Sequence, residues 1–443
     1  MNAIDLTKGK PIKQILLFSL PIVLGTLFQQ LYSFMDTIMV GRFIGEDALA
    51  GVGATYSLHF LILGFVQGAC VGLGIPLAQA IGSKDNNEFK KYFWNGTWIC
   101  CLMAIVLTLI TVLTSSLLLK IIKTPENIFS QANIYIKILF LGIPASILYN
   151  FCAGVLRAYG DSKRPFYFLL VSSFLNIFLD YIFIVPLSMG VAGAAIATVF
   201  SQLVSGLLNL YWIVRKTGLL TNSKNMLAFS FEHIKKLCII SFPMGFEYSI
   251  SAIGAVIMQG AINSFGSVVI AGQTSGEKIR QMFTLPMESV GMGIATYAGQ
   301  NLGAKRYDRI KEGLRAGITI QWTYCIFAWV VIFFGKNLFT YMVLGESTSD
   351  TALISVEYLS VISIFFFIHG ALMIFRNTLQ GMGYSLHAVL SGVGELIGRS
   401  IGGFIAVATA NFLFISIANP MAWGLSLIYC VIMVTHFLKK LEH

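Results

Sequence analysis

"VGLGIPLAQAIGSKDNNEFKK" at residues 71–91 is answered by "VGMGIATYAGQNLGAKRYDRIKE" at residues 290–312. Each copy is a glycine-rich apolar run that breaks at a short basic turn and restarts, and the two lie about 220 residues apart. Outward from this pair the offset persists. "SLPIVLG" (19–25) recurs as "SFPMGFE" (241–247), "FIGEDALAGVGA" (43–54) as "SFGSVVIAGQTS" (264–275), and "GVLRAYGDSKRP" (154–165) as "NTLQGMGYSLHA" (377–388). The chain is one design used twice.

Of 443 residues, 56% are hydrophobic and 11% charged, where a soluble domain carries about 25% charged residues. Lipid is therefore the expected solvent. Twelve apolar runs are long enough to cross about 30 Å of hydrocarbon as helices: 14–40, 49–79, 93–119, 130–156, 165–186, 190–214, 234–262, 268–298, 315–342, 353–381, 384–410 and 415–437. They are continuous rather than alternating, which excludes a transmembrane β-barrel and predicts an all-α membrane protein. The first run follows Lys8, Lys10 and Lys13 and lacks a small-residue cleavage site, so it reads as a retained helix.

The polar stretch from Arg215 to Lys236 divides the runs six and six, predicting an N-lobe over 1–216, a linker over 217–233 and a C-lobe over 234–443. With six spans per half, both copies enter the membrane from the same side, and the expected substrate site lies at the repeat interface. With the N-terminus inside, inner segments hold 21 Lys and Arg against four outside (Arg42, Lys120, Lys123 and Lys336). The expectation is a multi-pass protein of a bacterial inner or plasma membrane with both termini cytoplasmic. The formal charge of +10 is then mostly topology and gives no support to nucleic-acid binding. The seven cysteines show no metal-ligand spacing and read as small apolar fillers.

Charges inside spans are costly and face a cavity or a partner. Asp36 lies five residues below the outer end of the first span, Asp180 six below Pro186, and Thr198 eight from Gly190. At 1.5 Å per residue all three sit about 7 to 12 Å from one boundary. Asn176 precedes Asp180 by four residues and shares its helical face. Two carboxylates, an amide and a hydroxyl in one layer form an oxygen-rich set of the kind hard cations prefer, and two carboxylates in a dry pocket call for a shared proton or a cation such as Na⁺. The alternative is structural, with Asp36 capping its helix and Asp180 a satisfied hydrogen-bonder.

The second half lacks this layer, since Asp36, Asn176 and Asp180 fall on Met258, Arg399 and Gly403. Glu247 and Glu277 lie about 14 Å deep. Glu277 reads either as substrate-facing or as an internal ion pair with Lys278 or Arg280, and Glu395 with Arg399 as a local helix pair. Pro21 permits a kink fifteen residues before Asp36, mobile or static. Gly72, Gly74, Gly291 and Gly293 point to close helix packing and hinging.

Together "MDTIMVGRFIG", "LRAYGDSKRP", "LNIFLDYIF", "GVAGAAIAT" and "GQNLGAKR" resemble the multidrug and toxic compound extrusion (MATE) transporters, over essentially the whole chain. The resemblance implies a V-shaped fold of two six-helix lobes that alternates between outward and inward openings. It also implies export of bulky cationic or amphipathic compounds in exchange for Na⁺ or H⁺. In prokaryotic relatives of the DinF-like type the cation or proton site matches Asp36, Asn176, Asp180 and Thr198 here. Their first-helix proline matches Pro21, and cavity-lining polar residues match Gln29, Tyr32 and Asn150. Other branches use second-lobe acids, one of which matches Glu247. Their tenth-helix aspartate is missing from "HGALMIFRNTLQGMG", which favours a first-lobe site.

The expected activity is secondary antiport without a cofactor, with Na⁺ or H⁺ as coupling ion and small-molecule drugs or toxic organic cations as cargo. Phe28 and Tyr32 offer apolar and cation-π contacts to such a cation. One chain holds a complete two-lobed unit, so a monomer is expected. Flipping of a lipid-linked saccharide is the alternative, but its pyrophosphate needs several in-span cations, and only Lys137, Lys278, Arg280, Arg376 and Arg399 stand within spans. Catalysis is excluded on scattered histidines and the lack of any nucleophile or phosphate-loop pattern.

Overall fold

A chain in hydrocarbon must satisfy its own backbone N–H and C=O groups, so long apolar runs fold as helices. A computed structural model describes residues 3–217, 229–345 and 348–442, and every regular element among them is an α-helix. In chain order these are α1 (Pro11–Phe43), α2 (Glu46–Ala54), α3 (Tyr56–Gly82), α4 (Asn86–Ile121), α5 (Glu126–Leu141), α6 (Ile143–Ala158), α7 (Lys163–Ile184) and α8 (Gly190–Thr217). The second half follows as α9 (Phe231–Asn263), α10 (Ser267–Gly303), α11 (Tyr307–Leu344), α12 (Asp350–Ile364), α13 (Phe366–Gly381), α14 (Ser385–Thr409) and α15 (Phe412–Glu442).

Each of the twelve apolar runs is found as a helix or a broken helix. Among the described residues nine helices are long and apolar enough to span a membrane, and the bent pairs α5–α6 (45°) and α12–α13 (52°) bring the number to 11. The remaining run is α10, whose Gln273, Glu277, Lys278, Arg280, Gln281 and Glu288 make it more polar than a lipid-facing span. Its inner half is nonetheless almost wholly buried, from Met287 through Asn301. The large apolar side chains left exposed, such as Leu113, Phe174, Phe334 and Phe404, are what lipid requires of a surface.

The repeat is written into the backbone. Left-handed residues occur at Gly45, Lys84, Lys123, Gly160 and Gly190, and again at Gly266, Lys305, Gly345, Gly383 and Ala410, each about 220 residues later. The paired helix ends close alike: Asp85 N–H bonds to the Ala80 carbonyl (3.1 Å) and Arg306 N–H to that of Asn301 (2.8 Å). These bonds satisfy carbonyls that a helix end leaves open.

Packing groups the helices into two units. One holds Leu24–Ser249 with the residues up to Asp5, the other Leu6–Val23 with Ile250–His443. These limits differ from the lobes expected from the repeat, 1–216 and 234–443, at two places. Residues 6–23 pack with the second half and residues 234–249 with the first. The cause is small-residue contact. A Cβ on Gly72 of α3 would lie 2.5 Å from the Ser241 Cα of α9, and one on Gly293 of α10 would lie 2.0 Å from the Ser19 Oγ of α1. Pro21 and Pro243 stand inside α1 and α9, shortly before the chain passes from one unit to the other.

Of the linker expected over 217–233, residues 218–228 lie outside the described residues. Beyond them, α9 is anchored in the first unit. Ser230 N–H donates to Asn95 Oδ1 (2.9 Å), and His233 Nε2 meets Glu88 Oε2 (3.2 Å).

Candidate ion and substrate site in the first unit

Three helices of the first unit supply the oxygen-rich layer. On α7, Ser172, Asn176 and Asp180 recur every four residues and share one face. From α1 come Gln29, Tyr32 and Asp36, spaced three and four apart, and from α8 comes Thr198.

These side chains meet. Thr198 Oγ1 lies 3.0 Å from the Ala194 carbonyl and 3.4 Å from Asp36 Oδ2, so its one proton is shared between the two acceptors. The carboxyl groups of Asp36 and Asp180 are near enough to act on each other electrostatically. Asp180 is 0% exposed and Asn176 1%. Both oxygens of Asp180, one of Asp36, and both amide atoms of Asn176 have no hydrogen-bond partner among the described residues.

The structural alternative for the acids does not fit this geometry. Asp36 sits seven residues inside the end of α1 at Phe43, too deep to cap it, and Asp180 is not a satisfied hydrogen-bonder. Buried polar atoms are nearly always paired, so this cluster of unpartnered oxygens is the candidate site of the first unit.

A pocket of about 20 Å³, room for about one water molecule, lies beside the layer, lined by Gln29, Tyr32, Tyr149, Leu169, Ser172, Asn176, Thr198, Ser201, Gln202 and Ser205. It gathers Gln29, Tyr32, Asn176 and Thr198 from the residues expected on sequence grounds. Asn150 does not line it but donates to the Ser146 carbonyl (2.9 Å), while the Ser146 hydroxyl bonds Gln202. Tyr149, Ser172, Ser201, Gln202 and Ser205 were not singled out by the sequence reading. The signal for the last three was the recurrence of polar residues along α8 in steps of three or four.

Glu247, half-buried on α9, does not line this pocket. Glu277 belongs to the second unit, where it accepts from Arg280 Nε (2.8 Å) and the Tyr358 hydroxyl (2.6 Å); its ion-pair partner is Arg280. Glu395 bonds Arg399 one turn away (3.2 Å) and also Arg376 of α13, which in turn holds Ser391 and Ser426. Pro21 is buried within α1.

The second unit replaces the acid pair by apolar atoms. A Cβ on Gly403 would lie 3.6 Å from Met258 Sδ, so the counterparts of Asp180 and Asp36 meet just as the acids do. Met258 packs in a cluster with Ile262, Ala406, Ile415 and Ala418. The fold accepts grease at this junction, so the first unit's carboxylates are not a requirement of packing.

The model of the MatE family matches residues 21–182 and again 243–394, beginning each time on one of the two helix-1 prolines of the repeat. The chain belongs to the MatE family. That places it among membrane transporters rather than enzymes. Curated relatives of this MatE protein include "Probable multidrug resistance protein YpnP" of Bacillus subtilis, 28% identical over 88% of this chain and 87% of its own. "Probable multidrug resistance protein NorM" of Thermotoga maritima is 25% identical over 90% and 84%. Among solved structures, "Crystal structure of MATE in the bent conformation" superposes with a TM-score of 0.92 at 20% identity, over 100% of this chain and 98% of the other. An outward-facing MATE transporter gives 0.92 at 21%, over 100% and 99%. The multi-pass, two-lobe helical fold is thereby that of the MATE transporters.

Proposed function

We propose that this MatE protein is a secondary active multidrug efflux antiporter that exports bulky cationic or amphipathic compounds in exchange for Na⁺ or H⁺. The observation that carries the reading is the orphaned carboxyl pair of Asp36 and Asp180, with Asn176 and Thr198 beside it. Four oxygen-bearing groups of this kind suit either a hard monovalent cation or a shared proton. The ion is cargo, bound from one side and released to the other. Names of the relatives, which speak of multidrug resistance, supply the class of the second cargo.

Gln29, Tyr32, Asn150 and Phe28 hold the drug near the acids, so that ion and drug load in turn. Ion binding shifts the balance between conformations by its differential affinity for them. Pro21 is the hinge of α1. The protein acts as a monomer in the cell membrane with both termini cytoplasmic, by the distribution of Lys and Arg. A lipid-pyrophosphate flippase is disfavoured because Arg280, Arg376 and Arg399 are bound to Glu277 and Glu395.

The test is drug export from everted vesicles driven separately by Na⁺ and pH gradients, for wild type, Asp36→Asn and Asp180→Asn. Export driven by one gradient and abolished by both substitutions names the ion and its site. Export that survives both overturns the reading.

A further inference from the structure

The pocket beside Asp36 extends away from the acids along α8, and its polarity does not stop where theirs does. Thr198, Ser201, Gln202, Ser205 and Asn209 fall on one face of the helix, each three or four residues from another of the set. From Thr198 to Asn209 that face covers about 16 Å. Ser201, Ser205 and Asn209 are all at least 97% buried, at 3%, 1% and 0% exposure. The hydroxyls of Ser201 and Ser205 and the Oδ1 of Asn209 have no hydrogen-bond partner among the described residues.

Among the described residues, buried helical serines are satisfied in some places and unpartnered in others, Ser19, Ser241 and Ser416 among the latter. Ser173 bonds back to the Leu169 carbonyl and Ser289 to that of Leu285, each at 2.9 Å, the usual resort of a buried helical serine. Asn209 spends its amide N–H on the Ser205 carbonyl (2.7 Å), which leaves its oxygen facing away from that bond. Ser172 and Asn176 of α7 line the same pocket from the other side.

Nor does the fold demand this polarity. At the offset of 220 set by Gly190 and Ala410, the matching positions of α15 are Ala418, Met421, Leu425 and Tyr429. The polar face of α8 does not recur at those positions of α15.

We propose that this face of α8 is a hydrated route that carries the coupling ion, as Na⁺ or as a proton on water, between the acid pair and the helix end bearing Arg215 and Lys216. The inference rests on the reading of Asp36 and Asp180 as the coupling site. Between the acids and Asn209 the lining is neutral oxygen and amide, which stabilises a passing cation without trapping it. Ile213, 0% exposed and one turn past Asn209, closes the route at its inner end. The ion thus leaves through the interior of the first unit while the drug occupies the pocket mouth near Gln29 and Tyr32.

The test places Ser205→Cys and Asn209→Cys separately in proteoliposomes of known orientation, with and without Asp36→Asn. A small cationic methanethiosulfonate is added from one side, and peptide mass spectrometry reads which cysteine is modified. The expected result is modification of both from the Arg215 side, at least tenfold faster with Ile213→Ser. In transport, Ser205→Val and Asn209→Leu should lower the maximal rate of gradient-driven export several-fold at unchanged drug KM, with Ser205→Thr restoring it. Ile213→Ser should leak ion in the absence of drug. Cysteines that the reagent does not reach from that side, or Ser205→Val and Asn209→Leu proteins that export at the wild-type rate, overturn the route. When Asp36→Asn is inactive in the same experiments, those outcomes remove the route alone; export that survives Asp36→Asn overturns the coupling site on which it rests.

Discussion

Gly72 of α3 lies against Ser241 of α9 so closely that a Cβ would stand 2.5 Å from the serine Cα. Backbone cannot step aside as a side chain can, so Gly72→Ala must separate the two helices. The cost expected for forced overpacking is about 1 to 3 kcal/mol. Gly293→Ala meets the Ser19 hydroxyl at 2.0 Å, which can rotate, and the Ser19 Cβ at 3.2 Å, which needs only a small shift, and should cost less. Gly74→Ala meets nothing nearer than the Gly154 carbonyl at 3.6 Å and should be near neutral. Thermal unfolding of the three variants in detergent should rank them in that order.

Thr198 gives the Asp36 carboxyl a hydroxyl hydrogen bond, and a bond to a charged group contributes about 1.5 to 3 kcal/mol. Thr198→Val keeps the shape and removes the donor and acceptor. It should weaken apparent coupling-ion affinity by about ten- to a hundredfold, while a saturating gradient recovers most of the export rate. Thr198→Ser should behave as wild type. Measuring export against imposed ion concentration separates this loss from a folding defect, which no concentration of ion repairs.

The acid layer was legible because carboxylates inside apolar runs have few innocent explanations, and helical geometry converts their spacing into depth. Asp36, Asn176, Asp180 and Thr198 could be placed in one layer by counting from the span ends. Ser201 and Ser205 showed only a polar recurrence along α8, which does not say that they lack partners, since a helical hydroxyl can bond its own backbone and only packing reveals which ones do not. The two packing units were hidden for a related reason. A repeat divides the chain by order along it, whereas the exchange of residues 6–23 and 234–249 is decided by which small residues meet which backbone. Glu277 shows the limit again: three nearby residues allowed either Lys278 or Arg280 as partner, and the helical reach of i to i+3 selected Arg280.

Glu395 is held by two guanidinium groups, from Arg376 and Arg399, and is itself buried. Removing the shared anion strands two cations in the second unit, and breaking a buried pair in this way costs about 3 to 5 kcal/mol. Glu395→Gln should therefore lower the melting temperature and the yield sharply. Drug KM and ion dependence in the surviving folded fraction should be unchanged, because the network is satisfied internally by Ser391, Ser426 and Asn419. A large change in ion dependence at normal stability would place Glu395 in coupling instead.

At the polar end of α4, outside the apolar run that begins at 93, Glu88 fixes the start of α9. Burial by itself pushes the Glu88 carboxyl up, but its hydrogen bonds and attraction to Lys91 (3.0 Å) and His233 (3.2 Å) hold it below its ordinary value. On its other side the His233 ring places Nδ1 2.6 Å from the Ser230 hydroxyl. A depressed carboxyl pKa adds stability that is fully present above the unfolded value of about 4.3 and is lost as pH falls through the folded one. Glu88→Gln should lower the melting temperature by about a degree or two at pH 7, a small effect because the side chain is 34% exposed. The gap between variant and wild type should close below about pH 4. Melting curves of the two proteins between pH 3 and 8 read this directly, and a gap that persists undiminished at pH 3 would show that the Glu88 contacts hold α9 by packing rather than by charge.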